Sequence, residues 1–348
     1  MQEDRIYCSS SYLMYRTVID PKKTFSNKYP RNTHMQPKPR FKVHNSDELH
    51  DALKQQVEEI VASGKKVALC LSGGIDSAIL AKFLPKGTIA YTFKCVVPGV
   101  EVIDETPGAA MHAKTCGLDH RIVEIYWEDF EKLTPDLLKH KGMPFHSIEV
   151  QMYKAGLQAK KDGVDVLIYG ESADLKYGGL SMLLSRDWTV GDFIDRYAYV
   201  KPYAALKESQ LILDPVHECT HDGMVDVHQF DNGPFIKEAI NSYYNACETA
   251  GIEHLLPYSY TVLDEPLDLA RIRKGENKYI IREVFAKLYP GFEAPPKTPM
   301  PRPMNEWLKD WQGPTRPEFW PHCVDPMNGD QRWLIWCLEQ YLNLIDQS

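Results

Sequence analysis

Apolar positions in the first half of this chain alternate between short continuous runs and runs at helical spacing. Leu49, Leu53, Val57 and Ile60-Val61 recur every three or four residues, the pattern of a helix with one buried face. Asn45 precedes them as N-cap, Glu48 takes the capping-box position and Gly64 stops the helix. Val67-Ala68-Leu69-Cys70-Leu71 then reads as a strand buried on both faces, with a helix over Ala78–Leu84 after it. A strand at Thr88–Phe93, a helix at Glu105–Cys116, a strand at Arg121–Ile125, a helix at Ile148–Asp162 and a fourth strand at Val164–Tyr169 continue the series. Strands separated by helices of this length predict an α/β fold, a parallel sheet with helices on both faces.

The flanks read differently. Residues 1–45, rich in Pro, Lys, Asn and Ser, suggest an extended arm with a short strand at Ser11-Tyr12-Leu13-Met14-Tyr15. After about residue 180 the strand signal fades and helical patterns dominate, at Phe235–Ala250, Leu267–Arg273, Lys278–Leu288 and Trp333–Ile345. The proline-rich stretch 295–303 interrupts them. The expected organisation is an arm over 1–45, an α/β core over 46–185 and a mainly helical part over 186–348.

Composition narrows the class. A chain of 348 residues can bury a substantial core, and 43% apolar with 25% charged residues is ordinary for a soluble globular protein. A formal charge of −8 argues against a general nucleic-acid binder. No segment approaches the roughly 18 uninterrupted apolar residues of a membrane span, so neither nucleic acid nor membrane is the expected partner. Cysteines at 8, 70, 95, 116, 219, 247, 323 and 337 make no Cys-x-x-Cys pair. They read as reduced thiols, and Met1-Gln2-Glu3-Asp4-Arg5 has no secretory character, so a cytoplasmic location is expected.

The candidate chemistry begins where the first strand ends, at Ser72-Gly73-Gly74-Ile75-Asp76-Ser77. Two glycines allow close backbone approach to a ligand, and free amides at a helix start point at an anion. Asp76 would repel a phosphate unless a divalent cation lay between them. No Gly-Lys-Ser/Thr ending follows, so this is not the loop that presents a lysine to terminal phosphates. It resembles the pyrophosphate loop of enzymes that split ATP between its first and second phosphates. The fourth strand ends in Gly170-Glu171-Ser172-Ala173-Asp174-Leu175-Lys176-Tyr177-Gly178-Gly179. Carboxylates directly after a core strand are poorly placed for burial unless they serve a ligand. Nucleotides bind at the carboxyl ends of such strands, where both segments fall.

Together these two segments resemble the synthetase domain of asparagine synthetases and their relatives, including beta-lactam synthetases, an adenine nucleotide alpha hydrolase-like fold. Leu118-Asp119-His120, Leu263-Asp264 and Asn277-Lys278-Tyr279-Ile280-Ile281-Arg282-Glu283 fit the same family, and the likeness runs from about residue 46 to 310. The resemblance implies a ligase that adenylates a substrate carboxylate, releases pyrophosphate and passes the acyl group to ammonia or an amine. ATP would meet Ser72, Gly73, Gly74, Asp76, Ser77, Phe93 and Gly170. Asp76 and Asp174 would hold Mg2+, and Glu171 would orient or deprotonate the amine. Lys297 is the candidate for the family's late lysine, with Lys278 as the second choice and Arg302 as a phosphate or carboxylate clamp; a solvated surface cation is the alternative for each.

Glutamine-dependent relatives carry an N-terminal glutaminase domain that begins with a catalytic cysteine. Met1-Gln2 and a 45-residue arm do not match one, so free ammonia, a separate glutaminase subunit or a substrate amine is expected to supply nitrogen. Other readings compete. His217-Glu218-Cys219-Thr220-His221 matches the zinc-protease pattern, but Pro215 and Asp222-Gly223 leave it about one helical turn; structural metal binding with His228, or a polar loop, is the alternative. A tRNA-modifying pyrophosphate-loop enzyme would normally show paired cysteines and a basic surface. A non-catalytic nucleotide-binding module would be expected to lose Asp76, Glu171 and Asp174.

Overall fold

Alternation along the first core strand sorts the interior into two layers. In the computed structural model, which describes residues 1–294 and 299–347, Ala68 and Cys70 face one apolar cluster while Val67, Leu69 and Leu71 face another. A strand buried on both faces requires this, and its uninterrupted apolar sequence is the consequence. Strands β1 (Val67–Cys70), β2 (Ile89–Cys95), β3 (Asp119–Ile125), β4 (Val166–Ile168) and β5 (Glu253–Leu255) form one parallel sheet in the order β3-β2-β1-β4-β5. The register sets Val67 beside Val166 on one side and Ala68 beside Ile89 on the other. Strand order therefore reverses between β1 and β4, and a crevice opens at their carboxyl ends.

Ten helices position the sheet: α1 (Arg5–Tyr15), α2 (Ser46–Ala62), α3 (Ile75–Ala81), α4 (Thr106–Cys116), α5 (Trp127–Lys141), α6 (Ile148–Lys161), α7 (Ala173–Lys176), α8 (Ile236–Ala250), α9 (Tyr279–Leu288) and α10 (Gly329–Asp346). The smaller cluster takes α2, α3, α4 and α9; the larger takes α1, α5, α6, α8 and α10. The sequence-predicted α/β class holds. Asn45 caps α2 by accepting from the Asp47 and Glu48 amides, and Gly64 follows the helix at φ 80°.

Two expectations change. The strand read at Ser11–Tyr15 is the last part of α1, where residues 7–15 are all buried. Asp4 caps this helix at the Tyr7 amide, and the Tyr12 and Tyr15 hydroxyls donate to the carbonyls of Phe145 and Ile212. Its serines find internal partners too, as Ser11 donates to the Thr17 carbonyl. An apparently polar segment thus becomes core. The part beyond residue 186, expected to be mainly helical, also returns to the sheet: β5 pairs with β4, and α9 covers the smaller cluster.

Buried charge on the larger face is paired. Lys141 meets Glu149 at 2.5 Å, Asn245 donates to the same carboxylate at 2.6 Å, and Arg16 meets Glu238 at 3.1 Å. Removing one member of such a pair leaves an uncompensated buried charge. Gly142 ends α5 at φ 69°, where a Cβ would lie 2.4 Å from the Pro30 carbonyl oxygen. Gly142→Ala should lower unfolding free energy by about 2 kcal/mol, from left-handed strain plus this clash, read as a lower urea midpoint at unchanged slope.

Candidate active site

The crevice between β1 and β4 is built from the turn that each strand runs into. After β1 the chain turns through Ser72–Gly74 into α3. Two hydroxyls shape the turn: Ser77 Oγ accepts from the Ser72 amide at 3.0 Å, and Ser72 Oγ accepts from the Gly74 amide at 3.2 Å. The Gly74 amide is therefore engaged. Among the described residues the Gly73 amide has no acceptor, and the first amides of α3 have no helical carbonyl to meet. Those amides, rather than Gly74, are left for an anion.

Close packing holds the turn from behind. A Cβ on Gly108 of α4 would lie 3.1 Å from Gly73 Cα, and one on Gly170 would lie 3.0 Å from the Ser77 amide nitrogen. His112, fully buried, has Nε2 3.3 Å from the Gly73 carbonyl. Burial pushes its pKa down, so the neutral ring donates to that carbonyl. Tyr258 donates to the Asp76 carbonyl at 3.0 Å and Tyr289 to the Ala78 carbonyl at 2.7 Å. Of these five supports only Gly170 carries a sequence signal; a tyrosine or histidine becomes legible only when its partner loop is in place.

Across the crevice, Glu171 and Asp174 bracket Ser172, which starts α7 in the left-handed region at φ 73°. The Ser172 and Ser259 hydroxyls lie 2.9 Å apart. Glu171 bonds the buried Tyr243 hydroxyl, and this carboxylate together with burial holds the tyrosine protonated, so Tyr243 donates. A Cβ on Gly179 would sit 2.0 Å from Asp174 Oδ1, so glycine is what lets Asp174 reach the crevice.

Lys278 joins the two turns. It precedes α9 at φ 55°, and its ammonium lies 2.5 Å from Asp76 Oδ2 and 2.8 Å from Asp174 Oδ1. Only 4% of the residue is exposed. Arg282 steadies the approach by donating to the Asn277 carbonyl and side chain at 2.9 and 3.2 Å. The second-choice lysine of the sequence thus stands between the two predicted magnesium carboxylates, and the first choice, Lys297, lies outside the described residues.

The carboxylates still fit a divalent cation. Asp76 Oδ1 is buried without a hydrogen-bond partner, an expensive state for a charged oxygen. Magnesium characteristically takes one or two carboxylates plus substrate phosphates, which Asp76 and Asp174 beside the loop would supply. No cluster of three or more His, Cys, Asp or Glu side chains suits a metal among the described residues.

The remaining sequence candidates make contacts of their own. Arg302 pairs with Asp330 at 2.9 Å, so it is engaged on α10 and not at the loops. Phe93 packs against the larger cluster, half-buried on β2. The zinc-protease pattern is overturned: its helical turn ends at His217, and His221 lies on a two-residue strand bonded to Gln229 at 3.0 Å. The two histidines share no helix face. All eight cysteines are free thiols, seven of them buried.

A parallel sheet with this strand order, helices on both faces and a pyrophosphate loop at the reversal define an adenine nucleotide alpha hydrolase-like fold. The asparagine synthase family model matches residues 48–239, and the chain belongs to that family. A search of curated proteins finds no match. Among solved structures it is similar to an NH3-dependent NAD synthetase from Campylobacter jejuni in complex with nitrate, at 17% identity and TM-score 0.27, over 39% of this chain and 61% of that one. The chain thus spans less than two thirds of that synthetase. It is also similar to the U34-tRNA thiolase NcsA from Methanococcus maripaludis with its 4Fe–4S cluster, at 12% identity and TM-score 0.32, over 90% of each chain.

Lys278→Met should leave two facing carboxylates without their cation. We expect a loss of about 2–4 kcal/mol in the nucleotide-free protein. Millimolar Mg2+ should raise the variant's melting temperature more than that of the unaltered protein, because the freed carboxylates then take the ion. An equal Mg2+ response in calorimetry would contradict this arrangement.

Proposed function

We propose that this chain is an ATP-dependent amide-forming ligase. The observation that carries the reading is the meeting of the pyrophosphate turn, Glu171, Asp174 and Lys278 at the one point where strand order reverses. In the first step an oxygen of a carboxylic acid attacks the first phosphate of ATP, and the bond to the second phosphate breaks. The Gly73 amide and the first amides of α3 receive the departing pyrophosphate. Asp76 and Asp174 would hold magnesium, which when bound neutralises charge on the phosphates. Lys278 keeps the two carboxylates together, and its ammonium is placed to follow charge that builds on the phosphate oxygens. Lys297 remains a proposal for the same task from the neighbouring proline-rich segment.

In the second step ammonia or an amine attacks the acyl carbon and AMP leaves. Glu171 is the base that takes the amine proton, and the Tyr243 hydroxyl fixes its orientation. Free ammonia or a separate glutaminase subunit would serve equally as the nitrogen source.

The acid's body would lie in a cleft of about 370 Å3 that touches Gly179, Asn277 and Pro299. Leu180, Leu183, Tyr197, Tyr199 and Phe235 line it with Ser181 and Met182, and exposed Arg196 is its charged side chain among the described residues. This lining supports an acid with an apolar or aromatic body over aspartate, whose second carboxylate would find few donors there. The pyrophosphate turn alone would also serve a tRNA-modifying enzyme that adenylates a base, so tRNA belongs in the same assay.

The test is acid-dependent pyrophosphate release across aliphatic, aromatic and dicarboxylic acids, each with and without ammonia. Release with an apolar acid supports the reading; release only with tRNA overturns it. Asp76→Asn should cut release by about 100-fold or more while the circular dichroism spectrum is unchanged. Glu171→Gln should slow amide formation by about 100-fold and spare adenylate formation. Equal loss in both half-reactions would remove Glu171 from the base role.

A further inference from the structure

A second cavity, of about 540 Å3, lies between the segment Met35–Pro39, residues 228–237 and the pair Val262-Leu263. At its wall is Lys176, the last residue of α7 and only 5% exposed. Its ammonium donates to the carbonyls of Ser259 and Thr261 at 2.7 Å each. An ammonium carries three donors, so one remains after these two bonds. No carboxylate faces it, although buried charges are ordinarily paired.

The rest of the lining has one sign. Lys38 and Lys237 join Lys176, with the amides of Gln36, Gln229 and Asn232 and with His228, whose pKa burial lowers, and no Asp or Glu takes part among the described residues. Neither Lys38 nor Lys237 makes an ion pair among the described residues, and both are exposed. Asp231, next to Asn232, is buried outside this lining, and burial, with Asp226 nearby, raises its pKa well above the usual carboxylate range. In a chain with 48 acidic and 40 basic residues, an acid-free lining with three lysines is a local concentration of positive potential. Met35, Pro37, Val262 and Leu263 supply apolar wall between the cations.

We propose that this cavity binds a small organic oxyanion, its charged group on the Lys176 ammonium and its apolar body against Val262 and Leu263. Lys38 and Lys237 draw the ligand in at the mouth, and the three amides bond its remaining oxygens. A bound anion gives Lys176 the counter-charge that the protein itself withholds. The shared chemistry is the oxyanion head; a carboxylate and a phosphate monoester are the two sources to separate.

The test is isothermal titration of the full chain with benzoate, phenyl phosphate and inorganic phosphate, each with saturating ATP present to block the Ser72–Ser77 turn. At least one aromatic probe should bind at one site and more tightly than inorganic phosphate. Lys176→Met should weaken that probe by about 10-fold or more, as expected on losing a charge-assisted bond. The pair Lys38→Glu with Lys237→Glu, both at exposed positions, should weaken it similarly and keeps the test valid if Lys176→Met does not fold. ATP-dependent turnover in the Lys38/Lys237 variant should be unchanged. No binding of any probe below about 10 mM, or affinity unchanged in the folded variants, overturns the proposal.

Discussion

One ammonium between two carboxylates sets the geometry on which the crevice depends. Asp76 follows β1, Asp174 follows β4 and Lys278 precedes α9, so three separate elements converge on a single charge. Two carboxylates facing each other in a partly buried space would repel, and the lysine converts that repulsion into a clamp. Its low exposure makes the clamp strong and leaves it little freedom. The same arrangement retains a net negative charge and a partnerless Asp76 oxygen, which is what a nucleotide with its cation would meet. The site is assembled without being electrostatically complete.

The two apolar layers explain why that clamp can be held accurately. Alternate residues of β1 enter different clusters, so the strand cannot slide by one residue without exchanging its whole core contact. On one side α3 and α9 share a layer, which places Lys278 over Asp76; on the other, paired charges such as Lys141 with Glu149 fix α5 against α6. Tyr243, reaching Glu171 from α8, belongs to that second layer. The crevice therefore draws the tyrosine that holds Glu171 and the lysine that holds Asp76 and Asp174 from opposite faces of one sheet.

Much of this was legible from residue order, and the rest was not for identifiable reasons. β1, β2, β3 and β4 announce themselves as apolar runs between helical patterns, and the turn at Ser72–Ser77 follows directly. Asp76, Glu171 and Asp174 could be placed at strand ends because carboxylates are costly there without a purpose. α1 was misread because its serines look like a loop until Ser11 finds the Thr17 carbonyl and Ser10 accepts from the distant Gln210 amide. β5 is three residues long and only partly buried, so pairing with β4 and not propensity makes it a strand. Lys278 was legible only as a second choice behind Lys297, since its place between the carboxylates depends on a backbone turn at φ 55° that no pattern reveals. The His-Glu-x-x-His pattern failed for the opposite reason, a sequence signal without the helix its chemistry requires.

The placement of Lys278 also orders events during synthesis. Asp76 and its lysine are 202 residues apart, and β5 and α9 both come late in the chain. A nascent chain that has released β1 through β4 holds the carboxylates but lacks the ammonium, the fifth strand and the helix that covers α3. Such an intermediate exposes the edge of β4 and keeps like charges at its centre, so it gains little by closing early. Without its last third the chain therefore has the two carboxylates but neither the cation between them nor the helix over α3. It is α9 that completes the crevice.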